Sequence, residues 1–289
     1  MTHALWLALL LFSGSALAQG RLLLVGGGEV PPEAVAWFVA EADSSVLVLD
    51  YEDAPGQSAI TRLEAAGAAV TYLPIASREA AALPSNVEAV RAAHALFLPG
   101  GDQAKYVERW HRTPVAEAVR EVYMRGGLVG GTSAGAMILS EVVFDARRGS
   151  FSSDEGLRDP LAPVLSLTDG FIGLVEDALI DTHFTERSRY GRLLALLANY
   201  HAETGRWVRG LGIDEGTALA VDPGGIATAI GTGAAVLVLP EEAAASPLRP
   251  GEPLARFPVR LARFTGGLRF HLATGALVSD AAEDASVQQ

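Results

Sequence analysis

The chain has 289 residues, no cysteine and a formal net charge of −12. The lack of cysteine excludes disulfides, thiolate metal sites and a cysteine nucleophile, and the acidic balance argues against nucleic-acid binding, which needs clustered lysine and arginine. Hydrophobic residues make up 49% of the chain, which is enough to form one large core.

The chain begins with a short apolar run at residues 4–12, followed by a small-x-small pattern from Ala16 to Ala18. This pattern is typical of a secretory signal peptide. We therefore expect residues 1–18 to be removed and the protein to be exported, to the periplasm or outside the cell. The run is shorter than the roughly 20 apolar residues that a membrane span needs, so we expect no span after cleavage.

From residue 21 onwards, short apolar runs alternate with longer amphipathic stretches. The runs RLLLV, SVLVLD, AAVTYLPI, HALFLP and LVGGTS predict strands, and the stretches between them predict helices. Apolar strands separated by helices indicate a parallel sheet with helices on both faces. We therefore predict an α/β fold, a three-layer sandwich with a mainly parallel sheet, in a catalytic domain over residues 20–240.

The second half of the chain has a less regular pattern. Residues 145–170 are rich in glycine, serine, aspartate and proline, and we interpret them as a loop excursion. The other predicted segments are a strand at 178–184, a helix at 186–205, a linker at 241–253, a small C-terminal β hairpin at 254–278 around Gly266 and Gly267, and a disordered tail at 279–289.

Residues 131–135, GTSAG, have the G-x-S-x-G form of a nucleophile elbow. A predicted strand comes before them and a helical pattern follows, so Ser133 lies at the apex of a sharp turn. The flanking glycines keep side chains away from that turn, and the N–H of Ala134 can donate to an oxyanion. We interpret Ser133 as a nucleophile; an inert serine in a tight turn is the alternative.

A nucleophilic serine needs a base, which is usually histidine. Among the six histidines, His183 follows a predicted strand at the edge where parallel sheets present their active sites. Three arginines follow within nine residues, and guanidinium groups bind carboxylates through paired hydrogen bonds. This arginine cluster (Arg187, Arg189 and Arg192) predicts a carboxylate-binding site, with a solvated helix face as the alternative.

Two further stretches complete a candidate site. In LPGGDQ, residues 98–103, the paired glycines Gly100 and Gly101 let backbone N–H groups face an oxyanion. In GIDEGTA, residues 212–218, either Asp214 or Glu215 could orient an imidazole. An ordinary turn and a capping carboxylate are the alternatives for these two stretches.

Together these stretches resemble the cyanophycinase and peptidase E (aspartyl dipeptidase) family of serine peptidases, and within it the cyanophycinase branch. The segments that carry the resemblance occur in the family's order and are GGG at 26–28, LPGGDQ, GGTSAGA, DTHFTERSRYGRL and GIDEGTA. The resemblance implies a fold like that of class I glutamine amidotransferases, whose cysteine nucleophile this chain lacks. It also implies that neither a metal nor an organic cofactor is needed.

The resemblance implies roles for the matching residues. The implied catalytic residues are Ser133 as nucleophile, His183 as general base and Glu215 as the acidic third member, with Asp214 as its rival. The implied oxyanion hole is formed by the backbones of Gly101 and Ala134. The residues implied to line the substrate pocket are Gln103, Asp181, Thr182, Arg187, Arg189 and Arg192.

The family also implies a class of substrate. Its members cleave peptides beside aspartate, and cyanophycinases release β-Asp-Arg dipeptides from a poly-aspartate backbone that carries arginine. We therefore expect an acidic or β-aspartyl peptide as partner, and keep a homodimer open as the assembly. Thr182 stands where cyanophycinases usually have glutamine, which leaves open whether cyanophycin itself is the substrate. An α/β-hydrolase esterase with His271 as base and a non-catalytic binding module are the competing interpretations.

Overall fold

The computed structural model describes residues 19–53, 57–241 and 245–279. The predicted signal peptide and all but the first residue of the predicted tail lie outside this described part. The strands are β1 (Arg21–Val25), β2 (Ser45–Asp50), β3 (Ala69–Pro74), β4 (Ala95–Leu98), β5 (Leu128–Thr132), β6 (Ser140–Phe144), β7 (Leu167–Asp169), β8 (Val175–Thr182), β9 (Arg209–Ile213), β10 (Thr217–Val221), β11 (Ile226–Gly231), β12 (Ala234–Pro240), β13 (Val259–Thr265) and β14 (Arg269–His271). The helices are α1 (Pro32–Glu41), α2 (Gln57–Ala65), α3 (Pro84–Ala92), α4 (Gln103–Trp110), α5 (Pro114–Met124), α6 (Ala134–Met137), α7 (Ser153–Arg158) and α8 (Tyr190–Thr204).

Eight of these strands form the first sheet, in the order β14-β11-β10-β1-β5-β4-β2-β3. The neighbours from β1 to β3 all run parallel. Strands β10, β11 and β14 extend the sheet with antiparallel pairs. The mainly parallel core of the predicted α/β sandwich is therefore confirmed.

Both faces of the first sheet are covered. Phe38 and Val39 of α1 pack with Leu23, Val25 and Val48 on one face. The opposite face shares a larger apolar core with α3, α4, α5 and the second sheet. This double burial explains why the parallel strands are apolar along their whole length instead of alternating with polar residues.

Six strands form the second sheet, in the order β13-β12-β9-β8-β6-β7. The central strands β6, β8 and β9 run parallel, and the outer strands join them antiparallel. Helix α8 packs closely on β9. The absence of a side chain at Gly210 permits this, since a Cβ there would lie only 2.9 Å from Cδ2 of Leu193. The sequence analysis expected one sheet, whereas the described residues form two.

The expected C-terminal hairpin needs correction. Its two strands exist, but β13 pairs with β12 in the second sheet and β14 pairs with β11 in the first. Each of the two strands covers an edge of a different sheet, β13 beside β12 and β14 beside β11, and so pairs backbone groups that would otherwise be unpaired at that edge. Gly267, with φ of 87°, makes the turn between them. The predicted domain boundaries, including the linker at 241–253, stay predictions.

The predicted loop excursion at 145–170 contains regular structure, namely α7 and β7. Ser152 begins α7 with a capping box: its Oγ accepts from the N–H of Glu155, whose carboxylate accepts in return from the N–H of Ser152 at 2.8 Å. The pattern S-S-D-E carried this signal, but the surrounding glycine, aspartate and proline favoured a loop.

Within the described residues, no helix combines the length and apolarity that crossing a membrane requires.

Candidate active site

Ser133 occupies a strained turn between β5 and α6. Its backbone has φ of 52° and ψ of −120°, a conformation that costs a non-glycine residue about 1–3 kcal/mol. Side chains at the flanking glycines would not fit: a Cβ on Gly131 would overlap the backbone of Gly135, and one on Gly135 would overlap the carbonyl oxygen of Leu98. The two glycines therefore allow the turn that presents the serine hydroxyl.

His183 connects Ser133 to an acid. Its Nε2 lies 2.7 Å from Oγ of Ser133, and its Nδ1 lies 2.5 Å from Oε1 of Glu215. With Nδ1–H donating to the carboxylate, Nε2 is left to accept the serine proton. Burial lowers the pKa of His183, although the hydrogen bond that it donates to Glu215 raises it. The imidazole is therefore neutral at neutral pH and able to act as a base.

The geometry distinguishes Glu215 from Asp214. The buried carboxylate of Asp214 accepts from the N–H of Thr185 and from the N–H of Ala234, each at 3.0 Å, and from the Thr185 hydroxyl. Asp214 thus fixes the turn after His183 to β12, and Glu215 contacts the imidazole.

The glycines at 26–28 pack against two members of the site. A Cβ on Gly27 would lie 2.5 Å from Nε2 of His183, and one on Gly28 would lie 2.9 Å from Oε2 of Glu215. The carbonyl oxygen of Gly26 also accepts from the N–H of His183 at 2.7 Å. Any side chain at these positions would displace the imidazole or the carboxylate.

The loop at residues 99–102 runs beside Ser133. A Cβ on Gly100 would lie 3.1 Å from Cβ of Ser133, and Gly101 has φ of 136°. Ala134 is the first residue of α6, so its N–H has no acceptor inside the helix. The N–H of Ala134 is therefore not used by the helix, and Gly101 lies in the neighbouring loop. Gln103 follows the loop, half-buried, as the first residue of α4.

The arginine cluster divides into two kinds. Asp181 is fully buried, and its carboxylate accepts from Nη1 of Arg189 at 3.1 Å and from Nε of Arg192 at 2.9 Å, with a second bond to Nη2 of Arg192. Burial lowers the pKa of Arg189 to about 10. Arg187 is exposed, and its guanidinium makes no hydrogen bond or ion pair with the described residues.

This division corrects the expectation that all three arginines bind substrate. Arg189 and Arg192 bind an internal carboxylate. Arg187 is exposed in the turn before α8, which begins at Tyr190 and not at 186. Asp181 and Thr182 are buried too, so neither offers a surface to a ligand. In the described part of the chain, the Oγ1 of Thr182 has no hydrogen-bond partner.

His271 lies exposed in β14. The imidazole that contacts the hydroxyl of Ser133 belongs to His183. The esterase interpretation required His271 in that position. Across the residues that the structure describes, no group of three or more His, Asp or Glu side chains is arranged to hold a metal ion.

Sequence reasoning missed two residues that contact the site. Glu186 accepts from the N–H of Glu215 at 3.1 Å, and the hydroxyl of Tyr51 accepts from the N–H of Asp102 at 2.7 Å. The only available signal for Tyr51 was its place directly after β2, at the edge where the parallel strands end. The sequence pattern predicts Glu186 at the start of a helix, where a charged residue is ordinary, whereas the structure places it in a turn.

Comparisons with known proteins give a consistent result. Peptidase family S51 matches residues 50–229. A cyanophycinase from Nostoc sp. and one from Trichormus variabilis are each 31% identical over 208 residues, covering 70% of this chain and 65% of the relative. The chain thus spans just under two thirds of the length of these relatives. The crystal structure of a peptidase from an acI-B1 Actinobacterium has a TM-score of 0.62 at 22% identity, covers 88% of this chain and 97% of its own, and shows the same fold.

Proposed function

Because the chain belongs to peptidase family S51, we propose that it is a serine peptidase that acts through an acyl-enzyme on Ser133. One observation carries the proposal: unbroken contacts run from Oγ of Ser133 through the imidazole of His183 to the carboxylate of Glu215. A base in such contact activates a serine hydroxyl, and an acid behind it fixes the imidazole's tautomer and orientation.

The proposed reaction has two halves, acylation of Ser133 and hydrolysis of the acyl ester, and His183 takes up and returns a proton in each. Oγ of Ser133 attacks the scissile carbonyl carbon as Nε2 of His183 takes its proton, and the N–H groups of Gly101 and Ala134 hold the oxyanion. The intermediate collapses to an acyl ester while Nε2 returns the proton to the departing amine. Water then attacks the ester by the same route and releases the acid. The carboxylate of Glu215 stabilises the imidazolium that forms on His183.

We propose an acidic peptide as substrate, cleaved beside an aspartyl or β-aspartyl residue. A protein of net charge −12 repels anions in general, so its site must supply local positive charge. Arg187, exposed on the turn after His183, is the guanidinium available for this. The similarity to cyanophycinases supports the same class.

The substrate proposal is tested with a panel of peptides. The purified protein is incubated with cyanophycin, with matched α-aspartyl and β-aspartyl dipeptides, and with their side-chain amide analogues, and the products are identified by mass. Cleavage of at least one acidic member in preference to its amide analogue is expected. Cleavage of the amides alone, or of no peptide, would contradict the proposal.

Arg187 and Arg192 are expected to respond differently to replacement by lysine. Arg187→Lys should lower kcat/KM on the acidic peptide by about ten- to a hundred-fold, because a point charge cannot reproduce a paired hydrogen bond worth about 1.5–3 kcal/mol. Activity on the amide analogue and the free energy of unfolding should change little. Arg192→Lys is the matched control: it should lower the free energy of unfolding and affect both substrates alike. Equal losses on both substrates for Arg187→Lys would rule out its role in recognition.

We also propose that the protein is exported and cleaved after Ala18. The apolar run at 4–12 and the small-x-small pattern support this. Gly20 is already buried in the fold, since a Cβ there would lie 2.8 Å from the carbonyl oxygen of Tyr123. Amino-terminal sequencing of exported protein should therefore start at Gln19, and exported protein that retains Met1 would argue against cleavage. The homodimer stays a prediction.

A further inference from the structure

The loop that carries Gly101 is held on both sides by tyrosine hydroxyls. Tyr106, in α4, donates to the carbonyl oxygen of Pro99 at 3.0 Å. Tyr51, directly after β2, accepts from the N–H of Asp102 at 2.7 Å. The two contacts fix the backbone immediately before and immediately after the paired glycines.

These tyrosines belong to a buried row of aromatic side chains. The rings of Tyr51 and Tyr106 meet edge to face with centroids 4.6 Å apart, and those of Tyr106 and Trp110 do so at 4.8 Å. The indole N–H of Trp110 donates to the carbonyl oxygen of Ile75 at 2.9 Å. All three rings are buried. The packed aromatic core therefore holds the ring of Tyr51, and with it the position of the Tyr51 hydroxyl.

Tyr51 also contacts the loop at Gly101 itself. A Cβ on Gly101 would overlap the hydroxyl oxygen of Tyr51 and would lie 3.1 Å from Cζ. The next residue, Asp102, is fixed a second time because its Oδ1 accepts from the N–H of Ala104 at 2.9 Å, at the start of α4. Burial raises the pKa of Tyr51, so its hydroxyl stays neutral and keeps these contacts at neutral pH.

We propose that Tyr51 is a positioning residue for the oxyanion hole, acting through Asp102 and Gly101. The inference rests on the proposed peptidase function. Oxyanion donors work only within about 2.7–3.1 Å of the developing charge, and a displacement of about 1 Å can cost about a hundred-fold in rate. Phenylalanine at position 51 would keep the packed ring, but would leave the N–H of Asp102 unpaired and the loop free to move away from Ser133.

The test uses Tyr51→Phe and a fluorophosphonate, which phosphonylates an activated serine through the oxyanion hole, with fluoride as the leaving group, and requires no particular peptide. The second-order rate constant for modification of Ser133 should fall by about ten- to a hundred-fold. With a cleaved peptide, kcat should fall by a similar factor while KM changes by less than about threefold. Rates are compared only for protein shown by thermal unfolding to be folded.

Tyr200→Phe is the matched control, because Tyr200 is also buried and donates its hydroxyl to Oδ2 of Asp169 at 2.8 Å, away from the loop. It should react at the wild-type rate. If Tyr51→Phe also reacts at that rate, or changes KM alone, the inference is wrong and the peptidase proposal stands. If wild-type Ser133 does not react, the peptidase proposal fails, and this inference fails with it.

Discussion

Replacing Ser133 with alanine is expected to lower kcat by roughly 10⁴- to 10⁶-fold, because a triad without its nucleophile retains only oxyanion-hole and binding contributions. The fold should be preserved. The side chain of Ser133 is partly exposed and its hydroxyl contacts the imidazole of His183, so no core contact is lost. The measurement is steady-state turnover of the best peptide, with thermal unfolding as the check on folding.

Ser140→Ala provides the control for this prediction. Ser140 is a buried serine seven positions further along the chain, and its Oγ lies 2.6 Å from the carbonyl oxygen of Met137 and 2.8 Å from that of Val142. Losing this hydroxyl should cost about 1–3 kcal/mol of unfolding free energy and leave turnover almost unchanged. Near-normal turnover in Ser133→Ala would end the serine-peptidase proposal.

Glu215→Gln is expected to lower kcat by roughly 10³- to 10⁴-fold, because an amide can hold the imidazole in the wrong tautomer and cannot stabilise the imidazolium. Asp214→Asn is the matched control at the adjacent position. It replaces a buried carboxylate that accepts from Thr185 and Ala234, so its main effect should be a lower free energy of unfolding. A larger loss of kcat in folded Asp214→Asn than in Glu215→Gln would reverse the assignment.

The pH profile gives a second measure of the same contact. Activity requires neutral His183, so kcat/KM falls as the pH drops through the pKa of this imidazole, which burial holds below its ordinary 6.5. Glu215 raises that pKa, so removing its charge should move the acidic limb to lower pH. A limb that stays in place, or moves to higher pH, would mean that Glu215 does not act on His183 in the working enzyme.

The sequence predicted what depends on neighbouring residues. The parallel strands were visible as apolar runs between helices, and the turn at Ser133 as a serine between two glycines. The meeting of Ser133, His183 and Glu215 followed from placing each after a strand of a parallel sheet, with the family resemblance naming the acid.

The parts that could not be predicted depend on distant contacts. The separation into two sheets is decided by which strands pair with each other, and the apolar pattern of one strand does not show which strand it pairs with. Arg189 and Arg192 could not be separated from Arg187 without knowing that Asp181 is buried beside them. Tyr51 is distinguished only by the loop that it contacts, which lies fifty residues further along the chain.

The division of the strands between two sheets has a consequence for how heat would abolish the proposed activity. Ser133 follows β5 of the first sheet, His183 follows β8 of the second, and Glu215 lies on the connection from β9 to β10, which joins the two. The catalytic distances therefore depend on how the sheets are aligned with each other. Along the described residues the chain passes between the sheets at four connections, from β5 to β6, from β9 to β10, from β11 to β12 and from β13 to β14. Loosening of either sheet should disturb the other, so heat inactivation and global melting should coincide in one cooperative transition.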